Sequence, residues 1–163
     1  MQKDSILNII LVGVGLCIVC GAVISTVAVS LRDQQEQNVI FDQQSKIIDA
    51  ARLLEVYPSS QEALASIEEV VVNLNDGQPS GIPPQQYDLD SILRDPSQHT
   101  VLNGSEDIAM ISVRENLSKV YIEYRNNELK TLILPVRGYG LWGTLYGYLA
   151  LDSDLNTIVG LEF

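Results

Sequence analysis

An uncharged apolar run from Ser5 to Leu31 constrains the fold of this chain more than any other feature. As a helix, a run of this length would reach about 40 Å, and the hydrocarbon core of a bilayer is about 30 Å thick. The apolar region of a signal peptide is shorter, about 7–15 residues, although Ala28-Val29-Ser30 offers a small-residue cleavage site. We therefore predict an uncleaved transmembrane helix over residues 5–31, preceded by a short N-terminal segment, 1–4.

Four small side chains recur at every fourth residue of this run: Gly13, Cys17, Gly21 and Ser25. That spacing places them on one helix face, and small side chains let helices approach closely in lipid. Ordinary span composition would also produce such a row, because glycine is common in transmembrane helices. We expect this face to contact other membrane subunits, with lipid around the rest of the helix.

Charge and cysteine content exclude several classes of function. The net charge of −11 and the isoelectric point near 4.3 argue against nucleic acid as a partner, because its phosphates demand a basic surface. The only cysteines, Cys17 and Cys20, lie in the apolar run, where one helix would give at most half of a tetrahedral metal site. The single histidine, His99, is interpreted as a solvated loop residue. We predict no metal site and no catalytic residues.

A helix is predicted to continue out of the membrane over residues 34–55, inside a juxtamembrane segment of 32–57. Its apolar face is formed by Ile40, Ile47, Ala51 and Leu54. Tyr57-Pro58 ends it, because the residue before a proline disfavours the helical conformation.

Residues 58–118 are predicted to be a variable region of short elements and loops. Ser59-Ser60-Gln61-Glu62 has the pattern of a capping box and predicts a helix to about residue 67 or 68. Short strands are predicted over 70–74 and 108–113, and one helical turn over 89–93. Aspartates in the Pro-rich stretch 75–100 are interpreted as a solvated face.

The last part of the chain, 119–163, has a steady β pattern. Strands are predicted over 120–124, 130–136, 145–151 and 157–163. Arg125-Asn126-Asn127-Glu128 predicts a hairpin turn, and the acidic stretch from Asp152 to Asn156 predicts a turn and not a calcium loop, because its later positions lack the required Gly and Glu. Helices followed by an antiparallel sheet make the fold class α+β.

A glycine-rich crossing interrupts the β pattern at Gly138-Tyr139-Gly140-Leu141-Trp142-Gly143. Its spacing matches a dinucleotide-binding fingerprint, but that fingerprint requires a helix directly after it. The residues that follow here are typical of a β-strand. Glycine permits close backbone approach, so Trp142 is either a core residue or a flat wall for a ligand. Arg137, beside the crossing, is interpreted as an exposed strand-end charge, with pairing to an anionic group as the alternative.

This crossing also carries a family resemblance. The stretch LPVRGYGLWGTLYGYLALD, together with NTIVGLEF at the end and SLRDQQEQN after the span, resembles the NqrC family of the Na+-translocating NADH:quinone oxidoreductase. The resemblance covers both ends of the chain and is weak over about 57–118. It implies a bacterial inner-membrane protein with one span, a cytoplasmic N-terminus and a periplasmic FMN-binding domain.

The resemblance further implies electron transfer from NADH to ubiquinone coupled to Na+ transport, with FMN joined to a threonine of a Ser-Gly-Ala-Thr motif. Neither that motif nor the family's Glu-Thr-Pro-Gly-Leu-Gly segment occurs here, so we expect a domain incomplete at its C-terminus, inactive alone and poorly soluble. Gly140, Leu141 and Trp142 are the candidates for lining a flavin pocket. The alternatives are a docking or assembly subunit without catalysis, a subunit of the related Rnf electron-transport complex, and a carrier of another small ligand.

Overall fold

The computed structural model describes residues 6–163, so the predicted N-terminal segment 1–4 lies outside the described residues. Helix α1 spans Ile6–Ala50, and its N-terminal part is long and apolar enough to cross a membrane. The side chains of residues 6–42 are exposed. Residues 43–163 form a separate compact unit.

The helix ends five residues before the predicted position. Arg52 adopts a left-handed conformation with φ of 51°, and a short 3-10 helix, α2, follows over Leu53–Glu55. The predicted apolar face is therefore wrong in part: Ile47 and Ala51 are buried, but Ile40 and Leu54 are more than half exposed. Arg52 redirects the chain before Leu54, so helical periodicity does not decide the burial of Leu54, and Ile40 precedes the compact unit that contains the core.

The predicted helix start at Ser59 is confirmed, with the Glu62 carboxylate accepting from the Ser59 hydroxyl at 3.1 Å. Ser59 is the N-cap of α3 (Ser60–Ala65), and its Oγ accepts a hydrogen bond from the Glu62 backbone N–H at 3.3 Å. The helix ends two to three residues before the predicted position, because strand β1 already begins at Ile67.

A five-stranded antiparallel sheet forms the domain, which confirms the α+β class. Its order is β1-β4-β5-β6-β7, so the last four strands form the expected meander and β1 pairs with the first of them. The strands are β1 (Ile67–Asn73), β4 (Leu117–Arg125), β5 (Glu128–Tyr139), β6 (Thr144–Asp152) and β7 (Ile158–Glu162). Asn126 and Asn127, both with positive φ, make the predicted two-residue hairpin turn between β4 and β5.

One face of the sheet carries the core. The end of α1, Leu53 of α2 and Ala63 of α3 are buried in one cluster with Tyr121, Ile133 and Ala150 of the sheet. Glu123 is also fully buried on the sheet, where its carboxylate accepts hydrogen bonds from Arg125, Thr131 and Tyr57. This network ties the chain segment after α1 to β4 and β5.

The segment between β1 and β4 contains more structure than the sequence indicated. A 3-10 helix, α4 (Pro84–Gln86), and helix α5 (Leu89–Arg94) precede a small antiparallel pair, β2 (His99–Val101) and β3 (Val113–Glu115). His99 is therefore not a solvated loop residue, because it pairs with Glu115 and its Nδ1 is buried. The predicted strand 108–113 is wrong except at its last residue: Met110 and Ser112 have positive φ, and Asp107 binds the backbone N–H groups of 111 and 112.

Candidate functional site at the β5–β6 hairpin

The glycine-rich crossing is the tip of the hairpin between β5 and β6. Tyr139 pairs with Thr144, and the Gly140 N–H donates a hydrogen bond to the Gly143 carbonyl at 2.8 Å. A Cβ on Gly140 would lie 2.9 Å from Cγ of Leu145, and Gly143 has φ of 151°. Both glycines are therefore required by the hairpin itself, one for close approach and one for its backbone conformation.

The two large side chains at this tip point into solvent. Leu141 is 87% exposed and Trp142 is 96% exposed, so the interpretation of Trp142 as a core residue is wrong. A tryptophan with almost its whole surface in water is unusual, because burial of its ring contributes strongly to stability. The structure leaves the ring free to contact another molecule.

The exposed apolar surface extends beyond the three residues singled out in the sequence. Tyr139 at the end of β5 donates its backbone N–H to the Ala109 carbonyl, which brings the loop before β3 beside the hairpin. We use the name hairpin-tip patch for the large exposed apolar and aromatic side chains of these two segments: Ile108, Met110, Tyr139, Leu141, Trp142, Leu145 and Tyr146. Large exposed apolar side chains brought together in this way are typical of interaction sites.

The contribution of the loop was not recognised from the sequence. Ile108 and Met110 lie about thirty residues before the hairpin and inside a segment expected to be a strand. Sequence spacing carried no signal for their position, because a non-local hydrogen bond from Tyr139 to Ala109 determines it.

Arg137 is not an exposed strand-end charge. Its side chain is 10% exposed, and its Nη2 donates to Glu115 Oε2 at 2.6 Å and to the Val113 carbonyl at 2.8 Å. The alternative considered for this residue, pairing with an anionic group, is confirmed, and the partner is a carboxylate of the same chain. The guanidinium joins β5 to β3 and so fixes the base of the hairpin beside the loop.

The chemistry available at the hairpin-tip patch is that of a contact surface. It offers aromatic faces and aliphatic side chains, which suit a flat, conjugated ring by stacking. Among residues 6–163, no group of three or more His, Cys, Asp or Glu side chains is placed to hold a metal ion. Further along the sheet, burial raises the pKa of Tyr121 to about 12, so this phenol is protonated at neutral pH.

Sequence comparison finds relatives over almost the whole chain. NqrC of Pseudomonas aeruginosa, from the Na(+)-translocating NADH-quinone reductase, is 40% identical over 167 residues, covering 99% of this chain and 64% of the relative. NqrC of Vibrio vulnificus is 37% identical over 163 residues, with the same coverage. No protein-family model matches the chain. The chain thus spans 64% of the length of these curated relatives.

Structural comparison gives the same result. The crystal structure of Shewanella oneidensis NqrC superposes with a TM-score of 0.64 at 26% identity, covering 74% of this chain and 56% of that one. The corresponding protein from Parabacteroides distasonis superposes with a TM-score of 0.52, also at 26% identity, covering 80% and 56%. Sequence and fold therefore lead to the same relatives.

Proposed function

We propose, from the premise that this chain is a homologue of the NqrC proteins of Na+-translocating NADH-quinone reductases, that it functions as a membrane-anchored subunit of such a complex. The observation that carries this proposal is 40% identity across 99% of the chain, from the apolar helix to the last strand. The helix supports it, because a subunit of a membrane complex needs an anchor and Ile6–Ala50 is long enough to provide one. In that complex the protein would take part in electron transfer from NADH to quinone coupled to Na+ export.

Within this function we assign the hairpin-tip patch to a flavin. Leu141 and Trp142 would lie against the ring of FMN, with Gly140 keeping the backbone close to it. Their exposure fits this role, since a ring needs apolar surface that the domain has not already covered. The group would supply electron transfer, and the protein would supply its position and surroundings. A Ser-Gly-Ala-Thr attachment motif does not occur in these 163 residues.

In-gel flavin fluorescence of the gene's complete product tests the cofactor. We expect a fluorescent band that survives denaturation if the flavin is joined covalently. Trp142→Ala should change the flavin absorption spectrum, whereas Tyr124→Ala, at a partly exposed aromatic residue outside the patch, should not. A complete product without flavin would instead favour the docking or assembly role. The relatives from Pseudomonas and Vibrio are NqrC proteins, so the Rnf-type alternative is not favoured.

We also propose that the helix face of Gly13, Cys17, Gly21 and Ser25 contacts other subunits. A Cβ added at Gly13, Gly15 or Gly21 meets nothing within 4 Å, so substitution there leaves the chain's own packing intact. Gly21→Leu should reduce co-purification of the partner subunits, because a large side chain prevents close helix approach. Gly15→Leu, on the opposite face, is the matched control. Equal loss in both variants would contradict the assignment of this face.

The proposed orientation has the N-terminus in the cytoplasm and the domain in the periplasm. Both cysteines lie in the apolar helix, so Cys17→Ala with Cys20→Ala removes every thiol from these 163 residues. Ser153→Cys then introduces one exposed thiol in the turn between β6 and β7. A membrane-impermeant maleimide should label it in cells whose inner membrane is intact. Labelling only after lysis would show that the domain faces the cytoplasm and would contradict the proposed orientation.

A further inference from the structure

A wedge opens in the sheet where β4 and β5 separate. Their pairing runs from Arg125–Glu128 to Tyr121–Ile133, although β4 begins at Leu117 and β5 continues to Tyr139. Beyond that point β4 pairs only with β1 on its other side, and β5 pairs with β6. Pro135 lies in the separated part of β5, where it has no N–H to offer a neighbouring strand.

A cavity of about 310 Å³ occupies this wedge. Aliphatic side chains supply most of its wall: Leu74, Ile111, Val120, Leu134 and Val136. The polar part of the wall comes from Arg114, Glu115, Ser118 and Arg137. The volume equals that of about ten water molecules in the liquid, so it would hold a ligand of about ten non-hydrogen atoms.

Both arginines of this wall have an unsatisfied donor. The Nε atoms of Arg114 and Arg137 are buried and have no hydrogen-bond partner. Their other hydrogen bonds are made by Nη2, from Arg114 to Asn75 Oδ1 at 3.3 Å and from Arg137 to Glu115 and the Val113 carbonyl. Buried donors without partners are rare because desolvation is costly, so both Nε atoms are available to an acceptor that enters the cavity.

The charges of the wall favour an anion. Arg137 is paired with Glu115, and of the residues lining the cavity only Arg114 carries a charge beyond that pair. The wall therefore has one net positive charge, in a domain that belongs to a strongly acidic chain. A guanidinium matches the geometry of a carboxylate, which accepts from it in a fork.

We propose that this wedge is a binding site for a small organic acid, whose carboxylate accepts hydrogen bonds from Arg114 and Arg137 and whose apolar body contacts the aliphatic wall. The site is separate from the hairpin-tip patch and does not depend on the proposed flavin. Inorganic phosphate would satisfy the arginines but would leave the aliphatic side chains in contact with water, so the apolar body is part of the assignment.

Benzoate, with about nine non-hydrogen atoms, is a suitable probe, since it dissolves in water and matches the cavity in size. The full chain in lipid nanodiscs is titrated with benzoate and followed by NMR. We expect saturable shifts of the Val120, Leu134 and Val136 amides. Benzyl alcohol, which lacks the carboxylate, and inorganic phosphate, which lacks the ring, should each bind at least about tenfold more weakly.

Three variants separate binding from general stability. Arg114→Gln should weaken benzoate binding about tenfold, because it removes the unpaired positive charge. Arg94→Gln, at an exposed arginine outside the wall, should leave it unchanged. Val136→Phe should abolish binding by filling the cavity while both arginines remain. The proposal fails if benzoate gives no saturable shift, if either control ligand binds equally well, or if Arg114→Gln and Val136→Phe bind benzoate with wild-type affinity.

Discussion

At the scale of single residues, Glu123 is a buried carboxylate whose hydrogen bonds join three segments of the domain. The carboxylate is fully buried and accepts from Arg125 Nε at 2.6 Å, Thr131 Oγ1 at 2.8 Å and the Tyr57 hydroxyl at 3.0 Å. Burial alone would raise the pKa of Glu123, but the hydrogen bonds outweigh it and hold the pKa below its usual value. The residue is therefore charged in the folded protein at neutral pH.

Replacement of this carboxylate leaves three donors without an acceptor. We expect Glu123→Ala to lower the free energy of opening of the sheet by about 2–4 kcal/mol, toward the lower end of the range for broken buried pairs because Arg125 is partly exposed. Hydrogen exchange of β4 and β5 amides, with the full chain in lipid nanodiscs, measures this change. Glu128→Ala removes a similarly short ion pair to Lys130 at an exposed carboxylate and should cost less than about 0.5 kcal/mol. Equal costs would contradict the assigned role.

The same group predicts a pH dependence. A depressed pKa in the folded state means that the stabilisation is present above the unfolded pKa of about 4.3 and is lost as the pH falls through the folded value. The stability difference between wild type and Glu123→Gln should therefore be largest near neutral pH and should shrink below about pH 4. Urea titrations at about pH 7 and about pH 3.5 check this. A difference independent of pH would show that Glu123 is not charged in the folded state.

Residue identity was a poor guide to burial at two positions. Arg137 and Trp142 lie five residues apart, and the sequence favoured exposure for the first and burial for the second, as average tendencies suggest. The structure reverses both, because Glu115 pairs with the arginine and the hairpin tip leaves no neighbours around the tryptophan. Both outcomes depend on contacts that no local pattern encodes.

At the scale of elements, Gly160 is where β7 comes close to the end of α1. A Cβ at this position would clash with the Ala50 carbonyl oxygen. Gly160→Ala should therefore push β7 away and destabilise the β6–β7 pairing by about 1–3 kcal/mol. Gly104→Ala, where a Cβ meets nothing within 4 Å, is the matched control and should be nearly neutral. Faster hydrogen exchange in β7 of the first variant alone is the expected measurement, and unchanged exchange would contradict the contact.

Element type was predictable where local chemistry decides it. The helix start at Ser59, the Asn126-Asn127 turn and the four strands of the meander follow from side-chain hydrogen bonding, tolerance of positive φ and β-rich composition. The β2–β3 pair and the wedge beside Pro135 depend on pairing between segments far apart in the chain. A single sequence does not indicate which residues of such segments pair.

At the scale of the whole molecule, β7 is an edge strand with large apolar side chains in solvent. Ile158 and Leu161 of β7 are 63% and 49% exposed, and Phe163, directly after the strand, is 55% exposed. We expect the chain to self-associate through this edge, as unpaired strands do. Ile158→Lys should reduce self-association several-fold in size-exclusion chromatography of the solubilised chain. Leu54→Lys, at a similarly exposed residue away from the edge, should have little effect. An equal effect of both variants would show that self-association does not occur through β7.

The architecture of the whole chain, a long apolar helix followed by an antiparallel sheet domain, was correctly predicted from the sequence. The length and hydropathy of the apolar run predict the helix, and the alternation of apolar and polar residues predicts the strands. The exposed loop that completes the hairpin-tip patch was missed, because the Tyr139–Ala109 hydrogen bond joins segments that the sequence keeps far apart.

Membership of a membrane-bound reductase complex is the central claim made for this chain. The most direct test is to add an affinity tag to the native gene product, purify it from solubilised membranes and identify what accompanies it by mass spectrometry. We predict that the other subunits of a Na+-translocating NADH-quinone reductase co-purify with it in constant ratio. Recovery of the tagged chain alone, while those subunits assemble into an active complex without it, would contradict the claim.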